Sequence, residues 1–574
     1  MESGTLEPPM ESAGPLSLGS RADVQAKRLS LALSICAIFA FVLAITIPFA
    51  GQALHIDDAI FWDFARTNLE SPLQQHMDDY RLMGEQIGQW RDTHPPLDQM
   101  YMSLVMRITG SESESPLHLS FIVFPLIAGV SMFFLSRRFT RNAMLSTLLL
   151  LATPVVMTMS HTLMADVPML AFWLAATSAY IYGVDKNDAR LLALAGCLAF
   201  LAVFAGYQAL ALMPLLAIYA WVNGKLNLRT ALPLALPLAG FLLYALYSLS
   251  AYGELPRFTH ARGLNVDSDH ISSRIEGMLA QIGGASVFPL FLAGFFALRR
   301  KRYLLLPLAV AGSVALGVFH YQNGFPLSST ILYSVFMTAA GMTVLAVFSE
   351  SIVQARNALK RLPVDTDFIF LAFWLLAMMI AICVLLPHAP AKYSLPLLAP
   401  LVLLMMREAE AGIASRALTR ALIVSAVIMT VLVANAVSAA DFQMAKSYKH
   451  YALNLSGSYE TDGTVWFVGE WGFRHYMESQ GYQYLTSANE AVHEGDLIVR
   501  PGFTDWPLAD SVTSRMQPLE TTSSSWDMPL RVMSFEGNAG FYGSHWGLLP
   551  YAITDAPVEN FTVYRVGPPP KAQQ

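Results

Sequence analysis

Apolar residues occur along this chain in long blocks that are separated by short polar connections. Blocks of about twenty apolar residues are long enough to cross the hydrocarbon core of a bilayer as helices. They predict about thirteen spans, at 29–50, 117–136, 141–159, 163–184, 190–206, 207–222, 230–251, 281–298, 303–320, 327–349, 367–387, 393–406 and 417–440. The pattern therefore indicates a polytopic α-helical membrane protein.

Composition agrees with this prediction. The chain of 574 residues is 54% hydrophobic and 14% charged, whereas a soluble chain usually carries about 25% charged residues. The three cysteines, Cys36, Cys197 and Cys383, all fall inside apolar segments. They are expected to be small buried residues, which argues against disulfides and thiolate metal sites.

The positions of basic residues predict the orientation. Arg and Lys cluster before the first span and in every second connection after it, from Arg137 and Arg138 to Arg420. Cytoplasmic connections carry this excess, so residues 1–28 are expected to be a disordered cytoplasmic N-terminus. Residues 29–440 then form the membrane domain, and the connection 51–116 is its first outer loop, with amphipathic helices.

The segment 441–574 differs from the rest of the chain. It contains no membrane-length apolar run, and residues 464–469 and 496–500 alternate in the manner of strands. A short helix is expected at 471–480, with Gly481 as its stop. With an odd number of spans, this segment is predicted to be a soluble α/β domain on the outer face.

Two acids, Asp57 and Asp58, follow the first span directly. A carboxylate close to the low-dielectric region is costly unless it has a partner or a task. One acid is a candidate base for an acceptor hydroxyl or amine, and its neighbour could orient that base or hold a cation. The alternative is a pair of solvated acids capping the helix that follows, whose apolar stripe is expected to lie along the membrane interface.

Further polar residues are predicted on the same outer face. Asp92 and His94 precede two prolines that fix the direction of the chain, and Asp166 lies at the outer end of an apolar run. The cations expected to suit a lipid phosphate are Arg257, His260, Arg262 and Lys392. For Arg257, His260 or Arg262 alone, contact with ordinary phospholipid headgroups is the alternative. Lys392 differs from them, because it stands with Tyr393 in a tight turn between two spans.

Four of these features together resemble the GT-C fold membrane glycosyltransferases, specifically the group of protein O-mannosyltransferases and the lipid A aminoarabinose transferase. They are Asp57-Asp58, Asp92-Thr93-His94-Pro95-Pro96-Leu97, Asp166 at the head of a helix, and Lys392-Tyr393-Ser394-Leu395-Pro396. The outer domain after the last span is similar to that of the aminoarabinose branch.

The resemblance implies transfer of a sugar from a polyprenyl-phosphate carrier to a lipid, glycan or protein acceptor outside the cytoplasmic membrane. Asp57 would be the base, Asp166 a second essential carboxylate, and Asp58 the partner of Asp57. The remaining site residues would bind substrate: Asp92, His94, Arg257, His260, Arg262, Lys392 and Tyr393. The implied location is a bacterial inner membrane with the C-terminal domain in the periplasm.

The chain departs from the family pattern at two places. Asp58 stands where the family usually has Glu. Thr93-His94, which is the mannosyltransferase pattern, stands where the aminoarabinose branch has Glu-Lys. Aminoarabinose as the substrate is therefore less well supported. A divalent cation between Asp58 and His260 is considered as a cofactor.

Two other functions compete with sugar transfer. A lipid-linked sugar transporter or flippase would place charged residues at mid-bilayer, whereas here they gather at one end of the spans. A noncatalytic glycan assembly protein could use tryptophans of the outer domain as a sugar-binding surface. Core packing explains most of those tryptophans equally well.

Overall fold

The structure is a computed structural model of the 574-residue chain. It describes residues 21–71, 76–77, 81–82, 84–86, 90–91, 94–253, 255–256, 268–298, 302, 304–386, 389–411, 415–455, 459, 462–486 and 492–568. Of the predicted site residues, Asp57, Asp58, His94, Asp166, Lys392 and Tyr393 lie within these ranges. Asp92, Arg257, His260 and Arg262 lie outside them.

Helices dominate the described chain up to residue 454. They are α1 (Arg21–Thr46), α2 (Asp58–Glu70), α3 (Leu97–Thr109), α4 (Glu114–Phe121), α5 (Val123–Phe139), α6 (Ala143–Leu151), α7 (Pro154–Met159), α8 (Asp166–Lys186), α9 (Ala189–Ala205), α10 (Leu212–Val222), α11 (Leu228–Tyr252), α12 (Ser268–Gly284), α13 (Pro289–Leu298), α14 (Leu306–Gln322), α15 (Leu327–Leu359), α16 (Thr366–Leu385), α17 (Leu395–Glu410) and α18 (Arg416–Asn454). The predicted polytopic helical membrane protein is confirmed.

By length and composition, seven stretches of the described residues could cross a membrane, or eight if one bent pair counts as a span. They are Arg28–Phe49, Glu114–Phe139, Asp166–Lys186, Leu228–Tyr252, Leu327–Leu359, Thr366–Leu385 and Arg416–Asn454. Helices α9 and α14, and the stretch Tyr207–Val222, are apolar but shorter. The predicted count of thirteen therefore stays a prediction.

Two of the predicted spans are broken helices. The predicted span 281–298 turns by 90° between α12 and α13. Val287 there has a φ of 63°, in the left-handed region that a β-branched residue rarely adopts. The predicted span 141–159 breaks before Pro154, where the hydroxyl of Thr153 accepts the backbone N–H of Val156. Apolarity alone did not reveal either break.

The strands lie in two regions of the chain. Short pairs between α2 and α3 are β1 (His76–Met77), β2 (Arg81–Leu82), β3 (Glu85–Gln86) and β4 (Trp90–Arg91). The C-terminal region contains β5 (Val465–Phe467), β6 (Gln483–Tyr484), β7 (Leu497–Pro501), β8 (Met516–Ser524), β9 (Leu530–Arg531), β10 (Met533–Ser534), β11 (Ala539–Gly540), β12 (Ala552–Ile553) and β13 (Glu559–Val566).

The C-terminal region is a mixed α/β unit, as predicted. Its five-stranded sheet has the order β6-β5-β7-β13-β8, with β5 parallel to β6 and β7, and β13 antiparallel to β7 and β8. The helices α19 (Trp471–Ser479) and α20 (Asp510–Thr513) complete it. The predicted helix at 471–480 ends as expected before Gly481, whose φ is 81°.

Helix α2 does not use its apolar stripe in the way that the sequence predicts. Three residues of the stripe are buried within the protein instead of facing lipid: Phe61, Phe64 and Ala65. Helix α3 covers one side, where the Ser103 hydroxyl donates to the carbonyl of Ala65 at 2.6 Å. Helix α19 covers the other side, where the rings of Trp62 and His475 lie 4.7 Å apart. The prediction failed because an amphipathic stripe looks the same whether lipid or protein covers it.

Arg138 ties three helices together at the end of the bundle opposite Asp166. Its guanidinium binds the carboxylate of Asp367 through two nitrogens, at 2.9 and 3.0 Å, and that of Asp185 at 2.7 Å. These residues belong to α5, α16 and α8. A planar fork of donors suits two carboxylates at once. Arg138 therefore joins α5, α8 and α16 at this end of the bundle.

Replacing Arg138 by Ala should destabilise the protein by roughly 2 kcal/mol, because two half-buried carboxylates lose their shortest ion pairs. Asp185 and Asp367 then keep the longer contacts with Lys225 and Arg407, at 3.8 and 3.4 Å. Replacing it by Lys should recover only part of the loss, since a single ammonium cannot bind in a forked manner. Thermal unfolding of the purified chain in detergent measures both. Arg66→Ala is the control, because Arg66 forms an exposed pair with Glu112 at 3.6 Å. Equal midpoints for all variants would contradict this role.

Candidate functional site

The fold brings Asp57, Asp166 and Lys392 together. The Lys392 ammonium lies 2.8 Å from an Asp57 carboxylate oxygen and 4.0 Å from one of Asp166. Its Nζ also contacts the sulfur of Met164 at 3.9 Å. Three residues predicted from separate parts of the sequence thus form one cluster.

Each member of the cluster stands at the end of a helix. Asp57 precedes α2, and its carboxylate pairs with Lys392 instead of capping the helix backbone. Asp166 is the first residue of α8, and Lys392 lies in a 3₁₀ turn, Ala391–Ser394, that leads into α17. Pro390 before the turn and Pro396 after it restrict the backbone on both sides. The site is therefore built on helix ends.

The two carboxylates keep Lys392 charged. Burial by itself would lower the pKa of its ammonium, but the charges of Asp57 and Asp166 outweigh burial and raise that pKa above its ordinary value. The side chains of Lys392 and Asp166 are 9% and 11% exposed, whereas that of Asp57 is 22% exposed. Asp57 is thus the acid in the cluster that a substrate can reach most easily.

Asp58 is fully buried and is not a solvated helix cap. One of its oxygens accepts the backbone N–H of Leu163 at 2.8 Å, and the other accepts that of His55 at 3.2 Å. Burial raises the pKa of Asp58 well above its usual value, although these two hydrogen bonds oppose the shift. The side chain thereby connects the loop before Asp57 to the turn before Asp166.

His94 and Tyr393 lie at the edges of the cluster. The ring of His94 is 4.8 Å from that of Phe61, and His94 interacts electrostatically with Asp166. The Tyr393 ring centre is 6.0 Å from the Lys392 ammonium.

The structure does not test the proposed metal site. Within the described residues, no group of three His, Cys, Asp or Glu side chains could hold a metal ion. His260, the second predicted ligand beside Asp58, lies outside those residues. Both Asp58 oxygens already accept backbone N–H groups, so no cation is needed to satisfy this carboxylate.

A second polar group next to the cluster was not predicted. Asp441 on α18 is buried and accepts hydrogen bonds from the Gln52 amide at 3.0 Å and the Tyr542 hydroxyl at 2.8 Å. One of its oxygens lies 3.4 Å from Nε2 of His55. Asp441 directly follows the last predicted span, so the rule that singled out Asp57, an acid beside a membrane span, could have found it.

Comparisons with known proteins include a match of residues 93–249 to the family model described as dolichyl-phosphate-mannose-protein mannosyltransferase. That segment contains His94 and Asp166, whereas Asp57 and Lys392 lie outside it. No curated protein sequence matches the chain significantly.

Solved structures of two proteins are similar to this chain. The oligosaccharyltransferase of Archaeoglobus fulgidus, solved in complex with Zn and sulfate, is 13% identical over 81% of this chain and 67% of its own, with a TM-score of 0.48. ArnT from Cupriavidus metallidurans in the apo state is 13% identical over 81% and 92%, with a TM-score of 0.42. The same protein bound to undecaprenyl phosphate is 14% identical over 83% and 93%, with a TM-score of 0.38.

The predicted resemblance to the protein O-mannosyltransferase group is thus confirmed by residues 93–249, which match the dolichyl-phosphate-mannose-protein mannosyltransferase family.

Proposed function

We propose that this protein is an integral-membrane glycosyltransferase. It transfers a sugar from a polyprenyl-phosphate donor to a lipid, glycan or protein acceptor on the outer side of a bacterial cytoplasmic membrane. The observation that carries the proposal is the cluster of Asp57, Asp166 and Lys392, with an ammonium at 2.8 and 4.0 Å from the two carboxylates. It combines a proton acceptor and a cation in one place.

Asp57 is the general base in this proposal. The acceptor O–H or N–H loses its proton to the Asp57 carboxylate while the acceptor atom forms a bond to the anomeric carbon. The ammonium of Lys392 favours the ionised carboxylate, which is the form that accepts a proton. Attack from the face opposite the phosphate inverts the anomeric configuration.

The leaving group explains the need for cations. As the bond between the anomeric carbon and the phosphate oxygen breaks, its electron pair stays on the polyprenyl phosphate, which gains negative charge. A cation placed beforehand stabilises that charge in the transition state. Lys392 supplies one, and Arg257, His260 and Arg262, which precede α12, are proposed to supply others. Asp92 and His94 are proposed to bind substrate, and His94 interacts electrostatically with Asp166.

Asp58 is proposed to position the site and not to react. Its two hydrogen bonds join the loop that ends at Asp57 to the turn that ends at Asp166. Complete burial keeps substrate away from its oxygens. Asp166, whose carboxylate lies 4.0 Å from the Lys392 ammonium, is proposed to orient Lys392 and the acceptor.

Transfer by the purified chain tests the function. The full-length protein in phospholipid nanodiscs is incubated with a panel of polyprenyl-phosphate-linked hexoses and pentoses and with envelope lipid, glycan and peptide acceptors. Mass spectrometry should detect a glycosylated acceptor and free polyprenyl phosphate in equal amounts. Movement of the lipid-linked sugar across vesicle membranes without any transfer would overturn the proposal in favour of a flippase.

A further inference from the structure

The loop between α1 and α2, residues 50–57, carries Asp57 in a backbone conformation that needs support. Ile56, directly before Asp57, has a φ of 48° and is buried. A β-branched side chain in the left-handed region is strained, and such a conformation persists only where the surroundings impose it. The contacts around this loop therefore decide where the Asp57 carboxylate points.

Asp441 provides the central support. Its side chain is fully buried on α18. One oxygen accepts a hydrogen bond from the Gln52 amide of the loop at 3.0 Å, and the other lies 3.4 Å from Nε2 of His55. A buried carboxylate with several donors fixes those donors in place, because each would lose its partner if it moved. The polar residues of the loop are thus attached to a long helix of the membrane domain.

The C-terminal domain completes this support. The Tyr542 hydroxyl donates to the same Asp441 carboxylate at 2.8 Å, and the carbonyl of the preceding Phe541 accepts the N–H of Ala391 at 2.9 Å. Ala391 is the neighbour of Lys392. The segment 541–542 therefore contacts both sides of the ion pair, through Asp441 on the Asp57 side and through Ala391 on the Lys392 side.

Helix α19 of the same domain packs directly on the loop. The Tyr476 hydroxyl accepts the N–H of Leu54 at 2.7 Å. A Cβ added to Gly472 would lie 2.0 Å from the carbonyl oxygen of Leu54, so only glycine permits this approach. The C-terminal domain thus contacts the loop directly through α19, in addition to its link through Asp441.

We infer that Asp441 and Tyr542 are positioning residues for the reaction, through which the docked C-terminal domain sets the orientation of Asp57 towards Lys392. This inference rests on the proposed glycosyl transfer for its kinetic test. Neither residue contacts the reacting atoms. The C-terminal domain, which follows the membrane domain in the sequence, thereby supports the catalytic centre.

Asp441→Asn and Tyr542→Phe test the inference in the full-length protein. Each removes one acceptor or one hydroxyl while the shape of the side chain is kept. We expect kcat for transfer from the lipid-linked sugar to fall about 10- to 100-fold with KM for the donor changed less than about threefold, because misplacement of a reacting group affects the chemical step.

Two variants serve as controls. Tyr564→Phe removes the hydroxyl of a half-buried tyrosine on β13, which faces Ile498 of β7 and Pro518 of β8 in the sheet. Asp496→Asn weakens the core of the same domain, where this carboxylate holds the backbone of Thr464 and the indole of Trp466. If Asp496→Asn lowers kcat as much as Tyr542→Phe does at an equal fall in unfolding temperature, the effect is merely structural and the inference is wrong.

Hydrogen exchange separates this inference from the proposed function. Amide exchange in the peptide 50–58 should become at least about tenfold faster in Asp441→Asn and Tyr542→Phe, since local opening is opposed by these contacts, and should be unchanged in Tyr564→Phe. This readout needs no substrate. Faster exchange with no transfer by the wild-type chain supports the loop contacts and refutes the glycosyltransferase, whereas unchanged exchange and unchanged kcat in both variants refute the inference.

Discussion

Asp57→Asn should lower the rate of sugar transfer at least about 100-fold, because a general base contributes about 100- to 10,000-fold. Asparagine keeps the size of the side chain but cannot accept the acceptor's proton. Binding of the polyprenyl-phosphate donor should be retained, since Lys392 loses one anionic partner and remains free to meet the phosphate. Single-turnover kinetics with the donor that performs best in nanodiscs measure the loss.

Asp63→Asn is the matched control for this variant. Asp63 lies on the same helix α2, is also an aspartate, and is part-exposed, but it is not among the residues around Lys392. Its replacement should leave the rate of transfer within about twofold of the wild-type rate, as for most substitutions away from the reacting groups. Undiminished turnover in Asp57→Asn would remove Asp57 from the mechanism.

Lys392→Met should have the second largest effect. Loss of the ammonium should lower kcat by about 100- to 1,000-fold, the range found when one group that stabilises a transition-state charge is removed. It also leaves Asp57 and Asp166 facing each other without a cation, so an anionic phosphate is repelled and affinity for polyprenyl phosphate should fall. Lys392→Arg should retain part of kcat and part of the affinity for polyprenyl phosphate, because the charge remains but its geometry changes.

Lys225→Met is the control for the lysine variant. Lys225 lies 3.8 Å from Asp185, at the other end of α8. The substitution therefore removes a positive charge far from the cluster. Transfer and polyprenyl-phosphate binding should be unaffected. If Lys392→Met retains wild-type binding and turnover, the ammonium has no role at the phosphate.

Local patterns in the sequence were enough to predict much of the fold. Apolar runs gave the membrane helices because their length matches a bilayer, and alternation gave β5 and β7 because successive side chains of a strand face opposite sides. Gly481 marked the end of α19 because glycine readily adopts a positive φ. The break before Pro154 and the bend between α12 and α13 were missed, since the apolar runs continue through them.

The same rules found the individual site residues but not their roles. Asp57, Asp166 and Lys392 stand out as polar groups at the ends of apolar runs, where a charge needs a partner. Their assignment to catalysis rested on resemblance, and of the predicted site residues only His94 and Asp166 lie within the matched segment 93–249. The orientation predicted from basic residues stays a prediction.

The sequence by itself thus determined the main apolar helices, the strands β5 and β7, and which polar residues stand at the ends of apolar runs. Only the tertiary structure decided that Lys392 lies between Asp57 and Asp166, that protein covers the stripe of α2, and that Asp441 and Tyr542 hold the loop before Asp57. The reason is physical. Periodicity reflects the environment of one element, whereas Asp57 and Lys392 are 335 residues apart in sequence and meet only through the packing of helices between them.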